Sequence, residues 1–172
     1  MGVSTVERQT DRLRAWWVRV GPGKGRETMN SLIKSTPSAD TNLLVVRADR
    51  VFGLAHLRSA LYHAKRAVAE GRNSSDSLAM ETLLYLSAER QLGRAISKME
   101  INASTELMVV AQLGGPNLEH PKDWEELPEN EAPAVERLLE FGITEEEIRT
   151  VGRDRANELI LERVGSVDIT KK

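Results

Sequence analysis

The stretch from Ser77 to Leu86 constrains this chain more than any other. Leu78, Met80, Leu83, Leu84 and Leu86 leave almost no polar face on a helix of 3.6 residues per turn. A helix that is apolar nearly all round must be covered on every side, so the rest of the chain has to wrap it. It is far shorter than the ~20 residues of a membrane span, and so are the apolar runs Leu43-Leu44-Val45-Val46 and Leu107-Met108-Val109-Val110-Ala111. The expectation is a buried central helix. Arg72-Asn73-Ser74-Ser75-Asp76 supplies turn and N-cap chemistry just before it.

The flanking periodicities supply the cover. Leu54, Leu57, Leu61, Ala64 and Val68 form one stripe of a helix ending near Gly71. After Ser87, a possible cap, Leu92, Ile96 and Met99 predict the inward seam of a third helix. Ala15–Val20, Leu43–Ala48 and Thr105–Leu113 read as strands, the last two continuously apolar as in strands covered on both faces. Pro116, Pro121, Pro128 and Pro133 confine the acidic stretch 117–131 to loops and short turns. Helix resumes near Pro133 and stops at Gly142. Thr144 to Glu147 fits a capping box with Ile143 and Ile148 as its staple, and Asp154 can cap a last helix after Gly152.

At 172 residues, 40% hydrophobic and 29% charged, the chain has the size and composition of one folded domain. It has no cysteine, which excludes a disulfide framework and thiolate chemistry. Met1 to Thr10 has no apolar segment of the kind a secretory signal needs, and the expected location is the cytoplasm. Residues 1–100 carry 16 Lys+Arg against 10 Asp+Glu, and residues 101–172 carry 8 against 16. The net charge of −2 therefore divides into +6 and −8.

Motifs for independent catalysis fail on spacing. Gly21-Pro22-Gly23-Lys24-Gly25 resembles a phosphate loop, but no hydroxyl follows Lys24 as G-x-x-x-x-G-K-[ST] requires, and a hairpin or exposed loop is expected. His56 and His63 are two turns apart, roughly 10.5 Å along a helix, too far to share a metal, and His120 cannot complete a site alone. Glu145-Glu146-Glu147 suits a helix N-terminus. Neither a metal nor a cofactor is implied, and no enzyme is expected.

Basic residues carry more information. Arg90, Arg94 and Lys98 are spaced by four, opposite the Leu92/Ile96/Met99 seam. Ser59, His63 and Arg66 lie away from the leucine stripe of the earlier helix, with Arg72-Asn73 in the following turn. On neighbouring helices these groups form a track for phosphates, with His63 or Tyr62 to stack on bases; an ordinary solvated face has the same pattern.

Several of these residues also carry a family resemblance. His56-Leu57-Arg58-Ser59-Ala60, His63-Ala64, Gly71-Arg72-Asn73 and the run Met80 to Leu92 followed by Ala95-Ile96 resemble the small kinase-binding accessory subunit of the KEOPS tRNA-modification complex, the Cgi/TPRKB type in its archaeal form. Ala48 to Leu54, Leu138 to Ile143 and Leu159 to Val164 are similar to it as well. The likeness covers most of 43–113 and 134–170, with 1–42 weakly matched and the acidic loop 117–131 not at all. The family commonly has Ser-Gly-x-Arg-Gln where this chain has Ser87-Ala88-Glu89-Arg90-Gln91. Alanine disfavours the positive φ that glycine accepts, so this position is either helical or a break of different geometry.

The resemblance implies a single α/β domain (mixed α+β) over residues 1–172, with a small mixed sheet of about four strands packed against several helices. It implies no catalysis. Its partners are the atypical small protein kinase of KEOPS, through it the threonylcarbamoyl transferase subunit, and tRNA, with no membrane involved. The implied role is support of threonylcarbamoyladenosine formation, with capture of the tRNA 3′ CCA tail. On that basis His63, Arg66, Arg72, Asn73, Arg90, Gln91 and Arg94 are the expected RNA-binding residues, with His63 stacking. Leu159, Leu161 and Val164 are the expected partner anchors. The alternatives are a pure protein adaptor of the kinase and an independent nucleotide-binding enzyme using Lys24.

Overall fold

The computed structural model describes residues 13–35, 43–114, 125–128 and 134–170. They form two compact units, the described residues within 1–48 and 100–128 and those within 49–99 and 129–172. The class is mixed α+β, with seven α-helices and one four-stranded sheet among the described residues.

The first unit holds the sheet. Strands β1 (Arg14–Arg19), β2 (Leu43–Arg47), β3 (Leu107–Gln112) and β4 (Glu125–Leu127) lie in the order β2-β3-β1-β4. Every pair is antiparallel, with Val18 opposite Met108 and Val45 opposite Val110. The sheet is therefore not mixed, because no two neighbours run the same way and no parallel crossover is needed. β2 is an edge strand, and its burial alternates where the apolar run predicted cover on both faces. β4 is a strand inside the acidic stretch expected to be loop, and it pairs along β1 through Trp17 and Leu127. Helix α1 (Gly25–Ser35) follows a turn in which Lys24 N–H donates to the Gly21 oxygen at 2.9 Å. The glycine loop is thus an exposed turn into a helix, not a hairpin. Val18, Val20, Leu32, Ile101, Met108 and Val110 make the core of this unit.

The second unit holds helices α2 (Leu54–Ala69), α3 (Leu78–Ser87), α4 (Leu92–Met99), α5 (Val135–Phe141), α6 (Glu145–Val151) and α7 (Ala156–Thr170). α3 is buried along almost its whole length, as its composition requires. Its cap is Ser77, whose oxygen accepts from Met80 N–H. In α2 the inward face is Leu57, Ala60, Leu61, Ala64 and Ala67, while Val68 is 46% exposed. α2 at 16 residues runs about 24 Å against about 15 Å for the ten of α3, so its last turn outruns its partner. In α4 Ala95 and Met99 are buried and Ile96 is exposed, so the inward seam is shifted from the one the leucine spacing predicts. Lys98 turns inward as well. The Thr144–Glu147 capping box and its Ile143/Ile148 staple are present, with both isoleucines in a core shared with Phe52, Phe141 and Ile160. Asp154 sits within a 3₁₀ turn, Arg153–Arg155, one step before α7 begins.

Candidate functional site

Three donors from the second unit converge on Asp168 near the end of α7. His63 Nδ1 lies 2.7 Å from Oδ2, while the Tyr85 hydroxyl and Arg72 Nη1 donate to Oδ1 at 2.5 and 3.2 Å. Burial opposes ionisation of Asp168, but the bonds from Tyr85, His63 and Arg72 outweigh it and hold the carboxyl below its usual range. The His63 ring stacks on Tyr85, with centroids 5.5 Å apart and planes 18° apart. Arg72 also meets Glu70 at 2.6 Å, and Glu70 accepts from Arg66 at 3.1 Å.

Of the predicted RNA-binding residues, then, His63, Arg66 and Arg72 are brought together, and each already holds a carboxylate. Asn73 follows them, with its amide donating to the Ser75 carbonyl at 3.0 Å in a local turn. The open stacking surface is Tyr62, 63% exposed and edge-on to His63, whereas His63 itself is covered by Tyr85.

Arg90, Gln91 and Arg94 belong elsewhere. Arg72 and Asn73 precede the N-cap of α3 and Arg90 follows its C-cap, so about 15 Å of helix separates the two groups. All three side chains are exposed, and among the described residues no carboxylate pairs with Arg90 or Arg94. The seven residues are two clusters, not one track. Lys98 drops out of the basic row entirely, because its ammonium points into the unit.

Between the arginines and α3 the backbone turns at Ala88, with φ 59° and ψ 29°. It is the one non-glycine residue at positive φ among the described residues. Ala88 N–H donates to Tyr85 O at 3.0 Å and Glu89 N–H to Leu84 O at 3.1 Å, the bonds of a left-handed helix end. The break expected of glycine is therefore retained with alanine.

The predicted partner anchors separate by burial. Leu159 and Val164 are 5% and 0% exposed, so they hold α7 to the core, where apolar residues on its inner stripe belong. Leu161 is 36% exposed and borders a cavity of about 230 Å³ lined also by Phe52, Ala55, His56 and Ile160.

No group of three His, Asp or Glu side chains suited to a metal occurs among the described residues, and His120 lies outside them. Sequence reasoning missed Asp168, Tyr85 and Glu70, and it set Lys98 on the outer basic row when its ammonium turns inward. Asp168 left one faint signal, a lone acid between Val167 and Ile169.

A family model described as kinase binding protein CGI-121 matches residues 24–151, from the turn before α1 to the end of α6. The chain belongs to that family. A comparison with curated proteins gives no match. The CGI-121 family is one of kinase-binding proteins, so a kinase is a partner and the role is that of its accessory. The match takes in α2, α3 and the Ala88 break, and it ends before α7, which carries Leu161 and Asp168. No helix of the described residues is long and apolar enough to cross a membrane.

Proposed function

We propose that this protein is a non-catalytic subunit of the KEOPS assembly that binds its atypical kinase and the 3′ CCA end of tRNA, in support of threonylcarbamoyladenosine formation. Membership of a kinase-binding family supports the first half. The observation that carries the second is the exposed Arg90/Arg94 pair, with no carboxylate paired to it among the described residues. Such cations are available to phosphates, and Tyr62 offers an open ring for a base. Arg66 and Arg72 serve this role less well, because a phosphate must displace Glu70 or Asp168 to reach them. We place the kinase against Leu161 and the adjoining cavity.

Gel-shift titration with intact tRNA and with tRNA lacking CCA tests the RNA half. Tighter binding of the intact form is expected, and an Arg90→Glu/Arg94→Glu variant should weaken it while still capturing the kinase. Equal binding of both tRNAs would leave the adaptor role, which the carboxylate pairing of Arg66 and Arg72 favours. Kinase capture unaffected by Leu161→Glu would move the kinase to another face.

A further inference from the structure

One lysine closes two helices. Lys98 lies in the last turn of α4, its side chain 15% exposed. Its Nζ donates to the main-chain oxygens of Ser87 and Phe141, each at 2.7 Å. Ser87 is the last residue of α3 and Phe141 the last of α5, so both carbonyls belong to the terminal groups that helices leave unpaired. A cation there also meets the negative ends of two helix dipoles. The ammonium lies 3.8 Å from the centre of the Phe141 ring and 3.7 Å from Glu89 Oε1.

Ser87 and Glu89 flank Ala88, which holds its left-handed conformation without the help glycine would give. Arg90 and Gln91 come immediately after. From α3 itself the stretch is held by the two main-chain bonds of its cap and by the Ser87 hydroxyl, which donates to Leu84 O at 3.0 Å and accepts from Glu89 N–H at 3.3 Å.

We infer that Lys98 is a positioning residue for Arg90 and Gln91, holding the chain on both sides of Ala88 so that their side chains leave the fold in one direction. A preorganised pair of RNA contacts loses less freedom on binding than a mobile pair. The inference rests on the RNA role proposed above, and hydrogen exchange tests the positioning independently of RNA.

The test uses the full chain carrying Lys98→Met, in the wild-type and in an Arg90→Ala/Gln91→Ala background. Lys98→Met should speed amide exchange of Glu89 to Gln91 by roughly tenfold or more. It should weaken CCA-ended tRNA by about tenfold in the wild-type background and leave affinity unchanged in the other. Unchanged exchange, or an equal loss in both backgrounds, overturns the inference. Should Lys98→Met not fold, Lys98→Gln removes the charge, keeps two N–H donors on a shorter arm and is read in the same way. If Arg90→Ala/Gln91→Ala alone leaves tRNA affinity unchanged, the RNA role falls, and exchange still decides whether Lys98 sets the course of the chain.

Discussion

His56 Nε2 lies 2.8 Å from the main-chain oxygen of Leu86, joining the start of α2 to the end of α3. The other ring nitrogen accepts Phe52 N–H at 3.1 Å, so the proton sits on Nε2 and the ring is neutral. The residue is 1% exposed, and burial, which outweighs the Leu86 bond, brings its pKa down to about 3.

This histidine makes stability depend on pH from the acid side. The unfolded chain takes up a proton below 6.5 and the folded one does not until about 3, so stability present above 6.5 is lost as pH falls. The slope from His56 should approach about 1.4 kcal/mol per pH unit, starting above the range of the carboxylates. Urea unfolding between pH 7.5 and 4.5 measures it. A His56→Gln variant should be less stable at pH 7 and flatter between pH 6.5 and 5; an unchanged slope in the variant would refute the assignment.

Ala88 should be improvable. A non-glycine residue in the left-handed region costs about 1–2 kcal/mol, and glycine recovers most of that at a helix end. Ala88→Gly should raise the urea midpoint by an amount equal to about 1 kcal/mol with the m-value unchanged. A lower midpoint would mean that the alanine methyl packs usefully.

Asp168 should matter more for the fold than its place near the chain end suggests. Asp168→Ala leaves Tyr85 and His63 without their acceptor and should cost roughly 2–3 kcal/mol. Tyr85→Phe, which removes one bond, should cost about 1 kcal/mol. Thermal unfolding of both variants and their combination reads the coupling, and fully additive losses would argue against a shared network.

Salt dependence should report which arginines face RNA. A single-stranded contact contributes a slope near 0.7, so Arg90 and Arg94 alone predict about 1.4 on a log–log plot. Recruitment of Arg66 and Arg72 as well would bring it to about 2.8. Titration at several salt concentrations distinguishes these. Glu70→Gln should then raise the slope by freeing Arg66, since that carboxylate is 3.1 Å away.

Much of this fold is written in short-range pattern. Ser77 caps α3 and Thr144 with Glu147 forms a capping box because each device lies within four residues of chain. The burial of α3 follows from its composition alone. Gly25 shows where pattern stops: a Cβ there would lie 2.8 Å from the Thr105 oxygen, a constraint from the turn before β3, 80 residues on.

The candidate site is of that second kind. Residue types and helix faces brought out His63, Arg72 and Arg90 as polar groups, but spacing carries no information about which carboxylate each one meets. Asp168 is 105 residues from His63 and 83 from Tyr85, and only the packing of α7 against α2 and α3 decides that Arg72 is held while Arg90 and Arg94 stay open. Lys98 is the sharpest case. Its i+4 spacing from Arg94 reads as solvent, and the ends of α3 and α5, 11 and 43 residues away along the chain, draw it inside because their carbonyls need a donor.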